Sequence, residues 1–191
     1  MILPSMLVLT RRIEAADPAA ATLFVSGELR LDWDRRQRSR LRARVARGAR
    51  AGQEVGLDLP RGGVLRDGDL VVTEDGTAAL RVAAAAEQLL HVTARGATAL
   101  ARLAYHLGNR HVPLQVGGTD AEGGWLRLPL DHVLENMVEG LGGTVSVVSA
   151  PFDPESGAYA GHSHGARGTP AEGGADGRHA PRIHDFTGDP A

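Results

Sequence analysis

Cysteine is absent from this chain of 191 residues, and its absence excludes several kinds of chemistry at once. Without thiols the chain cannot form disulfides, use a thiolate as a nucleophile or bind a metal through sulfur. Lysine is absent as well, so all 21 basic residues are arginines. Any metal that this chain binds must therefore be held by nitrogen and oxygen ligands.

The chain also has no long apolar run and only a small net charge. No apolar run approaches the roughly 20 residues needed to span a bilayer. Residues 1–10 are apolar but lack a preceding basic region and a small-residue cleavage pattern, so we expect no signal peptide. The net charge of -2 gives no overall attraction to nucleic acid or to anionic membranes. These absences predict a cytoplasmic protein with no membrane and no nucleic-acid partner.

Residues 1–84 contain short segments with strand character, separated by turn signals such as Pro-Arg-Gly-Gly and Glu-Asp-Gly. The strand-like segments are residues 23–25, 29–31, 39–45, 55–59, 70–72 and 80–82. Short strands at this spacing predict a small all-β domain, either a barrel or a sandwich.

Four arginines alternate with smaller residues between positions 38 and 44, in the sequence RSRLRAR. The two-residue period of a strand would place all four guanidinium groups on one face. That face could bind phosphates or an acidic partner, or it could simply be solvated. The stretch itself contains no aromatic residue that could stack on bases, which weakens the nucleic-acid interpretation.

Residues 85–153 follow a different pattern, after a run of alanines at 83–86 that predicts a linker. A predicted strand at 89–93 precedes a helix whose apolar positions recur at helical spacing. Gly108 and Asn109 should end this helix by taking the left-handed conformation of a helix C-cap. Strands at 112–116 and 125–128 flank a glycine-rich hairpin. Asp131 then caps a second helix, and residues 144–148 supply a last strand. The apolar positions of the two helices are Leu100, Leu103, Ala104 and Leu107, and Val133, Leu134, Met137, Val138 and Leu141.

This order of elements predicts a ferredoxin-like βαββαβ domain, whose sheet has one face covered by two helices. The sequence therefore predicts an α+β protein with an all-β domain at 1–84, a ferredoxin-like domain at 85–153 and a flexible, disordered tail at 154–191. An open sheet face or free edge in so small a domain favours a symmetric dimer.

Histidines are the residues that suggest chemistry. His111 lies in a loop outside any apolar stripe, and in a symmetric dimer two copies of it could face each other near the two-fold axis. Two neutral imidazoles would suit nickel, copper, zinc or cobalt. His162 and His164 lie beyond a polar tether of about eight residues, whose random-coil reach is roughly 15 to 18 Å. They could complete the coordination sphere, or the His-x-His spacing could be accidental.

The other histidines have structural interpretations. His91 lies inside a predicted strand, and His106 lies near the end of the first helix, where a cationic imidazole would interact favourably with the helix dipole. His132 follows Asp131 at the start of the second helix and could be a peripheral ligand, although a surface histidine is the simpler interpretation. The chain has no G-x-x-x-x-G-K or H-E-x-x-H motif, so we expect that it is not an enzyme. An arginine-rich β-domain that binds nucleic acid or an acidic partner is the alternative function.

Several motifs resemble one family in the right order. They are residues 105–115 (YHLGNRHVPLQ), 131–134 (DHVL) and 157–159 (GAY), together with 34–40 (DRRQRSR) and 59–69 (LPRGGVLRDGD). The sequence closely resembles the UreE family of urease accessory proteins over roughly residues 5 to 164.

The resemblance implies a nickel metallochaperone that forms a homodimer through its ferredoxin-like domain and delivers Ni(II) to apo-urease. The family's interface metal ligand falls on His111 and its tail ligands fall on His162 or His164. Zn(II) or Cu(II) could also bind in vitro. The implied partners are an accessory GTPase and, through it, the urease maturation complex. Leu130 stands where a companion to His132 is expected, which argues against a peripheral site.

Overall fold

Residues 6–84 fold into two small β-sheets in the computed structural model, which describes residues 6–119 and 123–156. The strands are β1 (Leu7–Leu9), β2 (Arg11–Ile13), β3 (Val25–Leu31), β4 (Arg40–Arg44), β5 (Glu54–Asp58), β6 (Leu70–Val72) and β7 (Ala79–Ala84). One sheet has the order β1-β5-β4 and the other has the order β2-β6-β7-β3. We call this part of the molecule the N-terminal half.

The strands of the N-terminal half follow the alternation of their sequences. Leu29 and Leu31 of β3 and Val82 of β7 are completely buried, while Arg30 and Arg81 between them are exposed. Every second side chain of a strand points to the same face, so these leucines and valines meet in one core. The prediction of a strand-rich N-terminal domain is confirmed, although residues 25–31 form one strand rather than two.

Two short helical segments in this half were not predicted. A 3₁₀ turn spans Pro18–Thr22 and helix α1 spans Trp33–Arg36. The carboxylate of Asp32 caps α1 by accepting a hydrogen bond from the backbone N–H of Arg35 at 2.8 Å. Residues 37–39 follow α1 outside any helix or strand, and β4 begins at Arg40. Arg38 therefore lies outside the strand, and the prediction that all four arginines share one strand face is wrong for that residue.

Residues 86–156 form the C-terminal half, which contains the predicted βαββαβ order. Its elements are β8 (Ala86–Thr93), α2 (Ala97–Gly108), β9 (Gln115–Thr119), β10 (Gly123–Pro129), α3 (His132–Gly140) and β11 (Thr144–Pro151). The strands lie in the order β11-β8-β10-β9, and every neighbouring pair is antiparallel. This is the split βαβ arrangement that the sequence predicted, so the α+β fold class is confirmed.

The two long helices cover one face of this sheet. Leu103 and Leu107 of α2 and Leu134 and Val138 of α3 are buried against Leu90, Val92, Leu126 and Leu128 of the sheet. These helical positions are three or four residues apart, as an amphipathic helix requires. Val133 is 55% exposed, so the buried face of α3 is narrower than predicted.

The alanine run at 83–86 does not form a linker. Residues 83 and 84 belong to β7 and residue 86 begins β8, so only Ala85 lies between the two strands. Its backbone N–H donates to the carbonyl of Leu31 at 2.9 Å. Within the described residues, the helices are all too short or too polar to cross a membrane.

Candidate metal centre

The loop after α2 presents His111 at the surface. Its backbone is held by three consecutive hydrogen bonds that continue the helical pattern beyond Gly108. The backbone N–H groups of Asn109, Arg110 and His111 donate to Tyr105, Leu107 and Gly108, each at 3.0 Å. Leu107 is completely buried, so the loop starts from a fixed point in the core.

His111 has a φ of 55°, and it is the only residue other than glycine with a positive φ among the described residues. We expected Gly108 and Asn109 to take the left-handed conformation, but Asn109 is right-handed with a φ of -64°. The prediction of a left-handed cap at these residues is therefore wrong. The left-handed region costs an L-residue roughly 1–2 kcal/mol, and such positions occur preferentially at functional sites.

His111 brings one imidazole to this surface and no further ligand. Within residues 6–119 and 123–156, no three His, Asp or Glu side chains lie close enough together to hold a metal ion. The neighbourhood is instead partly apolar, because Tyr105 is 65% exposed and Pro113 is exposed. A metal centre at His111 must be completed by groups from outside the described part of this chain.

The last described residues of the C-terminal half lie close to this loop. The backbone N–H of Glu155 donates to the carbonyl of Leu114 at 2.9 Å, three residues after His111. His162 and His164, the predicted tail ligands, lie outside the described residues. Sequence analysis did not single out Glu155, and no local pattern could have, because its partner is distant along the chain.

His106 and His132 do not join His111 in a cluster. The ring of His106 packs edge-on against Tyr105, with 5.4 Å between ring centroids, and is half-buried near the helix end. His132 is the exposed first residue of α3. The neighbouring carboxylate of Asp131 caps that helix by accepting from the N–H groups of Val133 at 2.8 Å and Leu134 at 3.1 Å. Asp131 therefore already has a structural role.

His91 lies on the sheet face opposite the helices, beside Trp125 and Arg127. The Nε of Arg127 donates to Nδ1 of His91 at 3.3 Å, and the guanidinium lies 4.1 Å from the Trp125 ring centroid. Burial, and then the positive charge of Arg127, lower the pKa of His91 below its ordinary value of 6.5. An imidazole whose nitrogen already accepts a hydrogen bond is held as part of the structure, as the sequence predicted.

Two of the three arginines of β4 have acidic partners on the neighbouring strand. Arg40 pairs with Asp58 at 2.7 Å, and Arg42 lies 3.8 Å from Glu54. All four side chains are more than half exposed, so each pair contributes at most about 1 kcal/mol. Local neutralisation of these charges favours a solvated strand face over a phosphate-binding one.

An apolar groove of about 460 Å³ runs along α2 beside β9 and β10. Its lining residues are Thr93, Ala94, Gly96, Ala97, Leu100, Ala101, Ala104, Val116, Gly123, Gly124 and Leu126. None of these side chains titrates or binds metal strongly, so the groove does not supply ligands.

The fold and the site together define a class of protein. A strand-rich half is joined to a split βαβ half that displays an imidazole on a rigid, exposed loop, an arrangement suited to an accessory protein that binds and presents a ligand.

Comparison with known proteins identifies the family within that class. The model of the UreE urease accessory protein N-terminal domain matches residues 9–85, and the model of its C-terminal domain matches residues 87–185. The urease accessory protein UreE of Pseudomonas putida (strain GB-1) is 51% identical over 160 residues, which cover 84% of this chain and 89% of that protein. The UreE of Dechloromonas aromatica (strain RCB) is 43% identical over 185 residues, covering 95% of this chain and 98% of that protein.

The chain belongs to the UreE family of urease accessory proteins. The resemblance seen in the sequence motifs is thereby confirmed. Members of this family assist the maturation of urease and are not enzymes, so the prediction that the chain is not an enzyme is confirmed by its family.

Proposed function

We propose that this protein is a nickel metallochaperone, which binds Ni(II) between the His111 residues of two subunits and delivers it to apo-urease. The observation that carries the proposal is the conformation of His111. An exposed histidine in the left-handed region, on a loop whose backbone donates three hydrogen bonds to the end of α2, takes a conformation that glycine usually takes at a helix end. Presentation of an imidazole to an external group gives a reason for a histidine at this position.

A homodimer would provide the second imidazole. A two-fold axis near the loop brings equivalent His111 side chains together, and one His111 alone cannot form a metal centre with the described residues. Exposed Tyr105 and Pro113 beside the loop give a second copy of the chain apolar surface to bury. Two imidazole nitrogens are suitable donors for Ni(II), and Zn(II) or Cu(II) would also bind them in vitro.

The tail would supply the remaining ligands through His162 or His164. The three residues from His111 to Leu114 span at most about 11 Å, and the seven residues from Glu155 to His162 can span up to about 25 Å. Because Glu155 is hydrogen bonded to Leu114, the tail is long enough for its imidazoles to reach a metal held at His111.

Delivery requires a metal that is held and then released. Imidazole ligands exchange more readily than a closed thiolate cage, and protons compete with the metal for their nitrogens. In the proposed role the dimer acts in the cytoplasm, where an accessory GTPase and the urease maturation complex receive the nickel.

The test is the ratio of bound nickel to chain, measured by calorimetry together with molecular mass in solution. The wild-type protein should bind one high-affinity Ni(II) per dimer, and His111→Asn should lose that site. Asparagine tolerates the left-handed conformation, so this variant keeps the loop and removes only the imidazole. Retention of the site in a folded, dimeric His111→Asn protein would refute the assignment.

Truncation after Tyr159 tests the tail. The shortened protein should keep its dimer and its His111 site but bind nickel more weakly than the full chain, since the tail ligands are lost. Equal affinities of the two proteins would remove His162 and His164 from the site.

A further inference from the structure

The face of the C-terminal sheet that lies opposite the two helices carries a stacked arginine; we call this face the open face. The indole ring of Trp125 lies against the backbone of Gly117 on the neighbouring strand, where a Cβ would overlap the ring. The guanidinium carbon of Arg127, two residues further along β10, lies 4.1 Å from the centroid of the same ring. The guanidinium therefore rests on a ring that is itself fixed against the sheet.

His91 holds the same guanidinium from the next strand. It lies directly opposite Arg127 on β8, and its Nδ1 accepts a hydrogen bond from Nε of Arg127 at 3.3 Å. The lowered pKa of His91 keeps the imidazole neutral near pH 7, so that it remains an acceptor. Within the described residues, Nε is the only guanidinium nitrogen of Arg127 with a hydrogen-bond partner. The group is thus held in place while Nη1 and Nη2 are left to bind something else.

The charge of Arg127 is not neutralised by any carboxylate in the described part of the chain. Two carboxylates near the open face are engaged elsewhere. Glu87 of β8 accepts from the backbone N–H of Trp33 at 2.7 Å, and Asp153 pairs with two arginines of the N-terminal half. A fixed guanidinium with two available nitrogens on one edge has the geometry to bind a carboxylate through two parallel hydrogen bonds.

The surroundings of Arg127 favour a single negative charge. Gln115, Ser146 and Pro129, its neighbours on the open face, are all neutral, and Arg127 is the only arginine in β8, β9, β10 and β11. A nucleic acid would need several cations for its phosphates and an uncovered aromatic ring for its bases, whereas the guanidinium already covers one face of Trp125. Small molecules usually bind in concave pockets, and an open sheet face suits a protein surface better.

We propose that the open face docks an acidic segment of a partner protein, with Nη1 and Nη2 of Arg127 binding an aspartate or glutamate carboxylate of that partner. Trp125 and His91 act as positioning residues. They fix the guanidinium before the partner arrives, so that less side-chain freedom is lost on binding. This docking does not depend on nickel, and it goes beyond the proposed function.

The test is a nuclear magnetic resonance titration of the nickel-free full chain with two blocked peptides, acetyl-TVEVT-amide and acetyl-TVQVT-amide. Their β-branched residues favour an extended backbone, and they differ only in the central glutamate or glutamine. The glutamate peptide should shift the Nε–H signal of Arg127 and the indole N–H signal of Trp125 until both saturate. The glutamine peptide should bind about tenfold more weakly, the usual order of magnitude for one charge-assisted pair.

Four substitutions assign the preference for glutamate to the stack. Arg127→Gln should abolish it, and Arg127→Lys, which keeps the charge without the paired nitrogens, should keep only part of it. Trp125→Leu should reduce the preference because the guanidinium loses its support, and Trp125→Phe should restore part of it. Arg102→Gln removes the same charge from an exposed arginine of α2 and should leave the preference unchanged.

Other outcomes would overturn the docking proposal. They are equal binding of the two peptides, no saturable shift with either, or a glutamate preference that survives in Arg127→Gln. Acetate or inorganic phosphate that binds as tightly as the glutamate peptide would reduce the face to a small-anion site. Binding of pentauridylate in place of the peptide would assign it to nucleic acid. Normal nickel binding by His111→Asn, the failure of the proposed function, would leave all these peptide results unchanged.

Discussion

In the proposed nickel site, His111 carries a conformational cost at the scale of a single residue. The left-handed region is unfavourable for residues with a Cβ, and histidine is tolerated there better than branched or bulky residues. Glycine would relieve the cost, and the chain uses it at other turns, including Gly96 and Gly142 with φ values of 86° and 84°. The proposed role in nickel binding accounts for an imidazole in place of glycine at this turn.

His91 gives a prediction about pH at the same scale. Its pKa is lowered in the folded protein, by burial and then by Arg127, from the 6.5 of an ordinary imidazole. Between the folded value and about 6.5 the unfolded chain binds more protons, so stability rises with pH in that window. The stability associated with neutral His91 is complete above about pH 6.5 and is lost as the pH falls through the folded pKa.

Urea unfolding between pH 8 and pH 5 measures this effect. The free energy of unfolding of the wild-type protein should fall more steeply below about pH 6.5 than that of His91→Gln. The two proteins differ only at position 91, so the difference between the two curves isolates His91. Parallel curves would show that the titration of His91 does not couple to folding.

At the scale of elements, local sequence signals account for most of the C-terminal half. The spacing of Leu103 and Leu107 predicted the buried face of α2, and Asp131 was predicted as the cap of α3. Both predictions are confirmed. They could be made from sequence because helix periodicity and capping depend on residues only a few positions apart. The start of the strand after His111 was predicted three residues too early, at 112 instead of Gln115. The left-handed turn holds residues 112–114 in a loop, and nothing in their side chains signals it.

Substitution of Asp131 tests whether its carboxylate serves the helix or a metal. Asp131→Ala should lower the free energy of unfolding by about 1 kcal/mol, the usual cost of losing an N-cap. Asp131→Asn should cost less, because asparagine is an equally good N-cap and only the favourable charge near the helix N-terminus is lost. Chemical denaturation of the two variants beside wild type makes the comparison.

The nickel stoichiometry of the same variants supplies the control. Neither substitution should change the number of nickel ions bound, because Oδ1 of Asp131 already accepts hydrogen bonds from two backbone N–H groups of α3. Loss of a weak site in both variants, with little change in stability, would instead make Asp131 and His132 a peripheral metal site.

At the scale of the whole molecule, the contacts that join the halves were beyond sequence reasoning. Arg36 and Asp153 are 117 positions apart, and in the sequence the arginine stands among several others. No periodicity or motif distinguishes this one buried guanidinium from the exposed arginines that follow it. The signal exists only in the fold, where Arg36 of α1 donates hydrogen bonds to Phe152 and Asp153, and the ring of Phe152 packs edge-on against Trp33 with 6.0 Å between ring centroids.

Removal of the Asp153 carboxylate, which both Arg36 and Arg66 contact, should therefore weaken the coupling between the two halves. In Asp153→Ala the buried Arg36 keeps only carbonyl partners. We expect the free energy of unfolding to fall by about 2 kcal/mol, less than for a fully buried pair because Asp153 is 36% exposed. Asp153→Asn retains an acceptor for both arginines and should lose less. The two tryptophans, Trp33 and Trp125, lie in different halves, so fluorescence can follow the unfolding of each half.

A Trp125→Phe background leaves Trp33 as the fluorescent reporter of the N-terminal half, while far-UV circular dichroism is dominated by the helices of the C-terminal half. Before the Asp153 substitution the two denaturation curves should coincide, as they must when two parts unfold together. After Asp153→Ala they should separate, because the carboxylate that both Arg36 and Arg66 contact is gone. If the fluorescence and circular dichroism curves still coincide, apolar contacts such as that of Trp33 with Phe152 suffice to couple the halves. The ion pairs of Asp153 would then serve only to fix the path of the chain.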